Sequence, residues 1–347
     1  MNANKLQEIL DKYDQPKFRL KQITKSIYKD GASSFSEITT LSKDLREILD
    51  KEITILSFRV KKILRAKDGQ SIKALFELAD GNLMESVLIA PKPGSWSACI
   101  SCQVGCAMGC RFCATGKIGL KRNLTAEEIT DQILFWRQYL KNLTPALSLE
   151  RRGGSISNII YMGMGEPFAN WKEVSQSIRD LMDEKTFGFG SRSLSVSTSG
   201  LASGILKLAQ EFPQVNLAIS LHFAGDEKRG GFMPVNKKDN LEILRMAIRQ
   251  YINITNRKVF LEYILLEGIN DSREDANILA DYVHAIGKTH LLHVNLIRYN
   301  TTGEFQASSK NKTYAFKQEL GKRRINSTIR KSLGEEIQGA CGQLAGK

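Results

Sequence analysis

The chain has 347 residues, 42% hydrophobic and 25% charged, a balance that excludes wholesale disorder and a membrane-resident chain. Fifty Lys and Arg against 37 Asp and Glu leave a net charge of +13, which favours a polyanionic partner, nucleic acid first, over the bland use of charge for solubility. A chain of this length carries two domains, or one large domain with extensions.

No window approaches the apolar length of a bilayer span, and Met1-Asn-Ala-Asn-Lys-Leu-Gln-Glu has no apolar run after a basic start, so a cytoplasmic chain without membrane contact is expected. Residues 1–55 carry helical spacing, as in Leu6, Ile9, Leu10 and Tyr13 and again in Leu20, Ile23, Ile27 and Tyr28, and read as a small helical accessory domain. Lys17, Arg19, Lys21, Lys25 and Lys29 make its middle basic, either an RNA-facing surface or a solvated helix face. Over 56–94, two alternating stretches, 72–78 and 86–90, flank Asp80-Gly81-Asn82. That is the pattern of a β-hairpin extension, with Glu85 on its return strand.

From 95 to 300 short apolar strands alternate with amphipathic helices. Strands are expected at 98–101, 158–162, 194–198, 216–220, 259–264 and 292–297, and helices at 126–140, opened by a Thr125/Glu128 capping box, and 241–251. The alternation predicts an α/β core built on a parallel sheet or barrel, with chemistry at the C-terminal ends of the strands. Residues 144–156, with Arg151-Arg-Gly-Gly-Ser, read as a loop. Residues 301–347 hold nine Lys or Arg against four Glu, a basic segment with a helix after Ser308-Ser309 and a strand-like stretch at 327–329.

Five of the six cysteines, Cys99, Cys102, Cys106, Cys110 and Cys113, crowd together, and Cys341 lies near the far end. In a reducing compartment such crowding points to a metal or redox site rather than a disulfide framework. Cys106-Ala-Met-Gly-Cys110-Arg-Phe-Cys113 is C-x3-C-x2-C directly after a candidate strand. An iron–sulfur cubane held by three thiolates leaves one iron free to bind something else. A structural zinc site, usually closed by four ligands, would draw on Cys99, Cys102, Cys106 and Cys110 or Cys113. His222, His284, His290 and His293 show no paired ligand spacing.

In Tyr161-Met-Gly163-Met-Gly165-Glu166-Pro167 the glycines allow close backbone approach to a ligand, and the Glu166 carboxylate suits an ammonium. This is not the G-x-G-x-x-G that opens a dinucleotide-binding helix. Ser197-Thr-Ser-Gly200, Ser220-Leu221-His222 and Asn300 fall at strand ends, where they serve either as hydrogen-bond partners of a ribose and adenine or as caps and turns.

The cysteine spacing, with Phe112 before the last ligand, resembles the radical S-adenosylmethionine (SAM) enzymes. Several blocks together resemble, more narrowly, the RlmN and Cfr family of radical SAM adenosine methyltransferases of large-subunit ribosomal RNA: Cys99-Ile-Ser-Cys-Gln-Val-Gly-Cys106, Gly119-Leu-Lys-Arg-Asn-Leu-Thr125, Met162-Gly-Met-Gly-Glu-Pro167, Ser197-Thr-Ser-Gly, Ser220-Leu-His, Val294-Asn-Leu-Ile and Gly339-Ala-Cys-Gly-Gln-Leu. The resemblance implies a partial (β/α)6 barrel with the helical N-terminal domain and hairpin appended. It implies a [4Fe-4S] cluster on Cys106, Cys110 and Cys113, and SAM bound by Gly165, Glu166, Ser197, Ser220, Leu221, His222 and Asn300. The implied partners of an expected monomer are 23S rRNA and an electron donor such as flavodoxin or ferredoxin, with tRNA left open as a second substrate.

Adenine C2 and C8 are electron-poor carbons with no lone pair for polar methyl transfer. The resemblance implies that Cys341 first takes a methyl from one SAM, and that a radical from a second SAM abstracts hydrogen from that S-methyl group. The methylene radical then adds to the adenine carbon. Cys99 attacks the Cys341 sulfur to release methylated RNA, leaving a disulfide for reduction. Glu85 aligns with the family's proton acceptor, with one extra residue between it and Cys99, and Cys341 is expected on flexible glycine-flanked backbone. Cys102 departs from the family, which usually has Ser there, and is expected to be a spare thiol. The Met162–Pro167 block resembles the RlmN branch, so C2 is the expected position and C8 the alternative. The reading from a different class is a non-catalytic, zinc-stabilised RNA-binding protein.

Overall fold

The computed structural model describes residues 1, 3–92, 94–147 and 155–346. Its main sheet has ten strands. Three form an antiparallel meander, β1 (Phe58–Arg65), β2 (Ser71–Leu78) and β3 (Leu83–Lys92), and β3 pairs antiparallel with β4 (Ser95–Cys99). A small two-stranded ribbon, β5 (Gln103–Gly105) and β6 (Leu120–Asn123), stands apart from the main sheet. Beyond β4 the pairing is parallel throughout, through β7 (Ser155–Tyr161), β8 (Leu194–Thr198), β9 (Asn216–Ser220), β10 (Val259–Leu265), β11 (Leu292–Arg298) and β12 (Ser327–Arg330). The order β1-β2-β3-β4-β7-β8-β9-β10-β11-β12 is open, so the mixed α/β fold is a partial barrel whose core is six strands, widened on both sides.

Each of the six expected core strands is present, and β8 and β9 coincide with their expected bounds. β4 begins at Ser95, ahead of the expected 98, because pairing with β3 on one side and β7 on the other extends it through the polar Ser95-Trp96-Ser97. The expected hairpin is β2–β3. Its turn has Gly81 at φ +79°, and the Leu78 amide bonds to the Asn82 carbonyl at 2.9 Å. The strand-like stretch at 327 is a full member of the sheet, parallel to β11.

The helices are α1 (Ala3–Lys12), α2 (Phe18–Tyr28), α3 (Lys43–Glu52), α4 (Ala114–Ile118), α5 (Ala126–Leu147), α6 (Trp171–Met182), α7 (Ala202–Glu211), α8 (Asp226–Phe232), α9 (Leu241–Thr255), α10 (Arg273–Ile286) and α11 (Lys310–Lys322). The α5 capping box is present: the Thr125 amide donates to Glu128 Oε2 at 3.0 Å, and the Glu128 amide to Thr125 Oγ1 at 3.2 Å. The loop expected over 144–156 is overrun by α5 up to Leu147 and by β7 from Ser155; residues 148–154 lie outside the described residues. Crossover helices bury periodic apolar faces against the sheet, Val174, Ile178 and Leu181 on α6 and Leu244, Ile248 and Ile252 on α9. The N-terminal helices dock on α5. Arg137 donates to the Tyr28 carbonyl at 3.0 Å, Gln138 to the Ala32 carbonyl at 2.8 Å, and the Ser57 amide to Asp131 Oδ2 at 2.9 Å. The larger of two apolar clusters draws on residues from Met1 to Leu344. Among the described residues no helix is long and apolar enough to cross a membrane.

Candidate active site

The C-terminal ends of the core strands open into a cavity of about 390 Å³ whose wall carries Cys99, Cys106, Cys110, Cys113 and Cys341 together. The cysteine loop is shaped by its glycines. Gly105 (φ +74°) lies directly against the Gly119 carbonyl, leaving no room for a Cβ, and a Cβ on Gly116 would sit 3.0 Å from the Cys110 amide nitrogen and carbonyl oxygen. The Arg111 amide ties the loop to α8 through the Phe232 carbonyl, at 3.0 Å. Beneath it pack Phe112, Phe223, Met233, Ile264, Leu266 and Tyr299.

Burial pushes the Cys106 thiol up to about 12, and raises Cys110 and Cys99 as well; a cationic centre would be needed to hold thiolates there. Among the described residues no three His, Cys, Asp or Glu side chains converge on one metal ion. Thiolates that bind three separate corners of an iron–sulfur cube stand farther apart than ligands of one ion, and three free thiols facing one cavity fit that arrangement.

Beside the cysteine loop, Gly163 and Gly165 let the loop after β7 close on residues 100–103. A Cβ on Gly163 would meet the Ile100 carbonyl oxygen at 2.6 Å, and one on Gly165 the Gln103 Cβ at 2.6 Å. Glu166 follows, fully inside the protein. Its Oε2 accepts the Ser199 amide at 2.7 Å and its Oε1 the Phe168 amide at 3.1 Å, while burial raises its pKa against these bonds. Ser197, Ser220, His222 and Asn300 also line the cavity. His222 adopts φ +59°; its Nδ1 accepts the Ile264 amide at 3.1 Å, which leaves the ring proton on Nε2, and burial pushes its pKa down to about 3. The Asn300 amide donates to the Cys341 carbonyl at 3.2 Å.

Three residues that sequence reasoning missed complete the site. Arg229 is fully buried and donates to the carbonyls of Ser199 (2.6 Å) and Leu221 (3.2 Å) and to Asn236 Oδ1 (2.8 Å), joining the loops after β8 and β9. In sequence it ends a charged run, Asp226-Glu-Lys-Arg, which carries no signal of burial. Glu262 on β10 accepts from Asn295 (2.9 Å) and from Arg330 (3.1 Å), and Arg330 on β12 lines the cavity beside both Cys99 and Cys341. A carboxylate inside the apolar Val-Phe-Leu-Glu-Tyr-Ile-Leu was the available signal for Glu262.

Other expected residues stand elsewhere. Leu221 is buried outside the cavity wall, its carbonyl taken by Arg229. Glu85 also lies outside the wall, buried in an ion pair with Lys73, Nζ to Oε1 2.7 Å. Cys102 is buried in the apolar core away from the cavity. Cys341 is exposed, but into the cavity; burial raises its pKa and Arg330 opposes the rise. The expectation of flexible backbone around Cys341 is overturned, because hydrogen bonds clamp the segment on both sides of it. All six cysteines are free thiols, so a disulfide is no feature of the resting fold.

Residues 100–277 match the model of the radical SAM superfamily, and residues 1–55 that of the ribosomal RNA large subunit methyltransferase N-terminal domain. The chain is 41% identical over 345 residues to the "ribosomal RNA large subunit methyltransferase Cfr" of Clostridium botulinum (strain Hall), covering 98% of this chain and 96% of the relative. It is 40% identical over 349 residues to the "probable dual-specificity RNA methyltransferase RlmN" of Staphylococcus aureus (strain JH9), covering 100% and 92%. The crystal structure of a radical SAM methyltransferase from Sphaerobacter thermophilus superposes with a TM-score of 0.90 at 38% identity, covering 100% of this chain and 98% of that one. With the cysteine loop, the glycine-rich loop after β7 and relatives matched along nearly their whole length, the chain belongs to the RlmN/Cfr family of radical SAM ribosomal RNA methyltransferases.

Proposed function

We propose that the protein methylates C2 of an adenosine in 23S rRNA by way of an S-methyl group on Cys341. The observation that carries this reading is the meeting of Cys341, Cys99 and the three loop cysteines on one cavity wall, although Cys341 comes from the far end of the chain. Cys106, Cys110 and Cys113 would hold a [4Fe-4S] cluster, which supplies the electron for reductive cleavage of SAM to a 5′-deoxyadenosyl radical. Glu166, fixed by two backbone amides, presents its carboxylate to the ammonium of SAM. Neutral His222 and the hydroxyls of Ser197 and Ser220 face the same space and suit a ribose and adenine.

The Cys341 thiolate attacks the methyl carbon of a first SAM, forming a C–S bond as the methyl–sulfonium bond breaks and S-adenosylhomocysteine leaves. Arg330 stands beside both thiols with Glu262 as its counter-ion, and favours thiolate over thiol at each. Hydrogen abstraction turns the Cys341 S-methyl group into a methylene radical; as it bonds to the adenine carbon, that carbon's C–H bond breaks, the hydrogen leaving as a proton and the odd electron going to the cluster that would be bound there. The Cys99 thiolate then bonds to the Cys341 sulfur, the S–C bond breaks, the methylene takes a proton to become methyl, and the disulfide left behind is reduced by the external reductant.

C2 is favoured by the Met162–Pro167 block, whose Met162 lines the cavity; the 41% identity to a relative named Cfr is the observation that favours C8. Unmodified 23S rRNA and tRNA, incubated anaerobically with reconstituted protein, SAM and a reductant, distinguish the two when adenosines are resolved by mass spectrometry. 2-Methyladenosine is expected. 8-Methyladenosine overturns the position, and RNA binding without product overturns the reading as a whole.

A further inference from the structure

Lys73 on β2 and Glu85 on β3 form the buried ion pair already noted, their residues 4% and 1% exposed. Such a pair is stable only where further hydrogen bonds satisfy its remaining donors and acceptors, because each ion loses its hydration on burial. Here those further bonds come from the segment that carries Cys341. Glu85 Oε2 accepts the amides of Ala345 (2.8 Å) and Gly346 (3.0 Å), and Lys73 Nζ donates to the Gln338 carbonyl (3.2 Å). The pair thus grips the chain on both sides of Cys341. Between these two feet the Ala114 amide, next to Cys113, donates to the Gly342 carbonyl at 2.8 Å, and Thr115 Oγ1 to the Leu344 carbonyl at 2.6 Å.

We infer that the Lys73–Glu85 pair positions the Cys341 segment against the cavity, with Glu85 acting as the acceptor for two backbone amides of that segment and not as a proton acceptor at the substrate. Releasing the segment would leave Glu85 Oε2 buried without a donor, so the pair and the seated segment stabilise one another. The functional meaning rests on Cys341 as methyl carrier; the seating itself does not.

Two measurements on the reconstituted protein test this. The first is hydrogen exchange, read by mass spectrometry on the peptide that contains Ala345 and Gly346. In Glu85→Gln a neutral acceptor replaces a charged one, and exchange there is expected to rise about tenfold while α5 and α9 keep their protection. Unchanged exchange overturns the inference. Should that variant fail to fold, Lys73→Met with Glu85→Leu replaces the pair by apolar side chains, and the same rise is expected.

The second measurement is methyl loading of Cys341 from labelled SAM without RNA, a step in which no adenine proton is removed. Glu85→Gln is expected to load at least tenfold more slowly than the wild type. Loading at the wild-type rate with loss of RNA methylation would make Glu85 a proton acceptor and overturn the positioning role. Absence of loading in the wild type would instead overturn the carrier reading, and the exchange measurement would still decide the seating.

Discussion

Arg229 offers the sharpest energetic test of how the site is built. It is 0% exposed, its partners are three neutral oxygens, and burial depresses its pKa. The guanidinium therefore holds the Ser199 and Leu221 carbonyls and Asn236 at the cost of its own desolvation. Arg229→Lys keeps that cost, but an ammonium on a single point cannot reproduce a planar fork across three separate acceptors. It loses one or two bonds to a charged donor, at about 1.5–3 kcal/mol each, and leaves their acceptors buried and bare. A loss of about 3 kcal/mol is expected from urea denaturation of the two proteins at equal cofactor loading. SAM affinity should fall more than tenfold, since Ser199 and the Leu221–His222 turn lose their common brace. Arg323→Lys, at a surface pair with Asp281, should cost under about 0.5 kcal/mol. A change below about 1 kcal/mol at Arg229, or an equal change at both arginines, would exclude Arg229 as the brace between the two loops.

Stability should depend on pH through His222. Its pKa of about 3 in the fold lies below the unfolded value near 6.5, so the unfolded chain binds the proton first and stability is lost as pH falls through that window. The loss amounts to about 2 kcal/mol between pH 8 and pH 5, and His222→Gln should lack it; a variant that keeps the full slope would exclude His222 as its source. Cys102→Ser should leave iron content unchanged while lowering stability by about 1–3 kcal/mol, from a hydroxyl placed in the apolar core; a large fall in iron would make Cys102 a ligand. Cys99→Ala should stop turnover with RNA covalently held on Cys341, seen as a protein–RNA band in denaturing gels, and normal turnover would reject its resolving role.

The β8 and β9 bounds were legible because short apolar strands with polar ends have few alternatives in an α/β chain. β1 was not legible. Arg59, Val60, Lys61 and Lys62 are all exposed and give no alternation, and the strand exists because β2 offers it a ladder. As an edge strand it gains protection from those charges. At the site, the cysteines and the glycine loop were legible because their spacing within short segments carries the chemistry. Arg229, Glu262 and Arg330 were not, since each acts through a partner brought to it by the fold: Arg330 meets Glu262 across 68 residues of chain. Glu85 shows the converse. Its alignment with a family position implied a proton acceptor, while its contacts are Lys73 and the backbone of a segment 260 residues further on.

The proposed function turns on Cys341 as the methyl carrier. Anaerobic incubation of the reconstituted protein with methyl-labelled SAM, followed by peptide mass spectrometry, reads it directly. One labelled methyl is expected on the peptide containing Cys341, with its transfer to RNA on addition of substrate and reductant, and no label in Cys341→Ala. Label on the Cys341→Ala protein, or RNA methylated by it, would exclude Cys341 as the carrier.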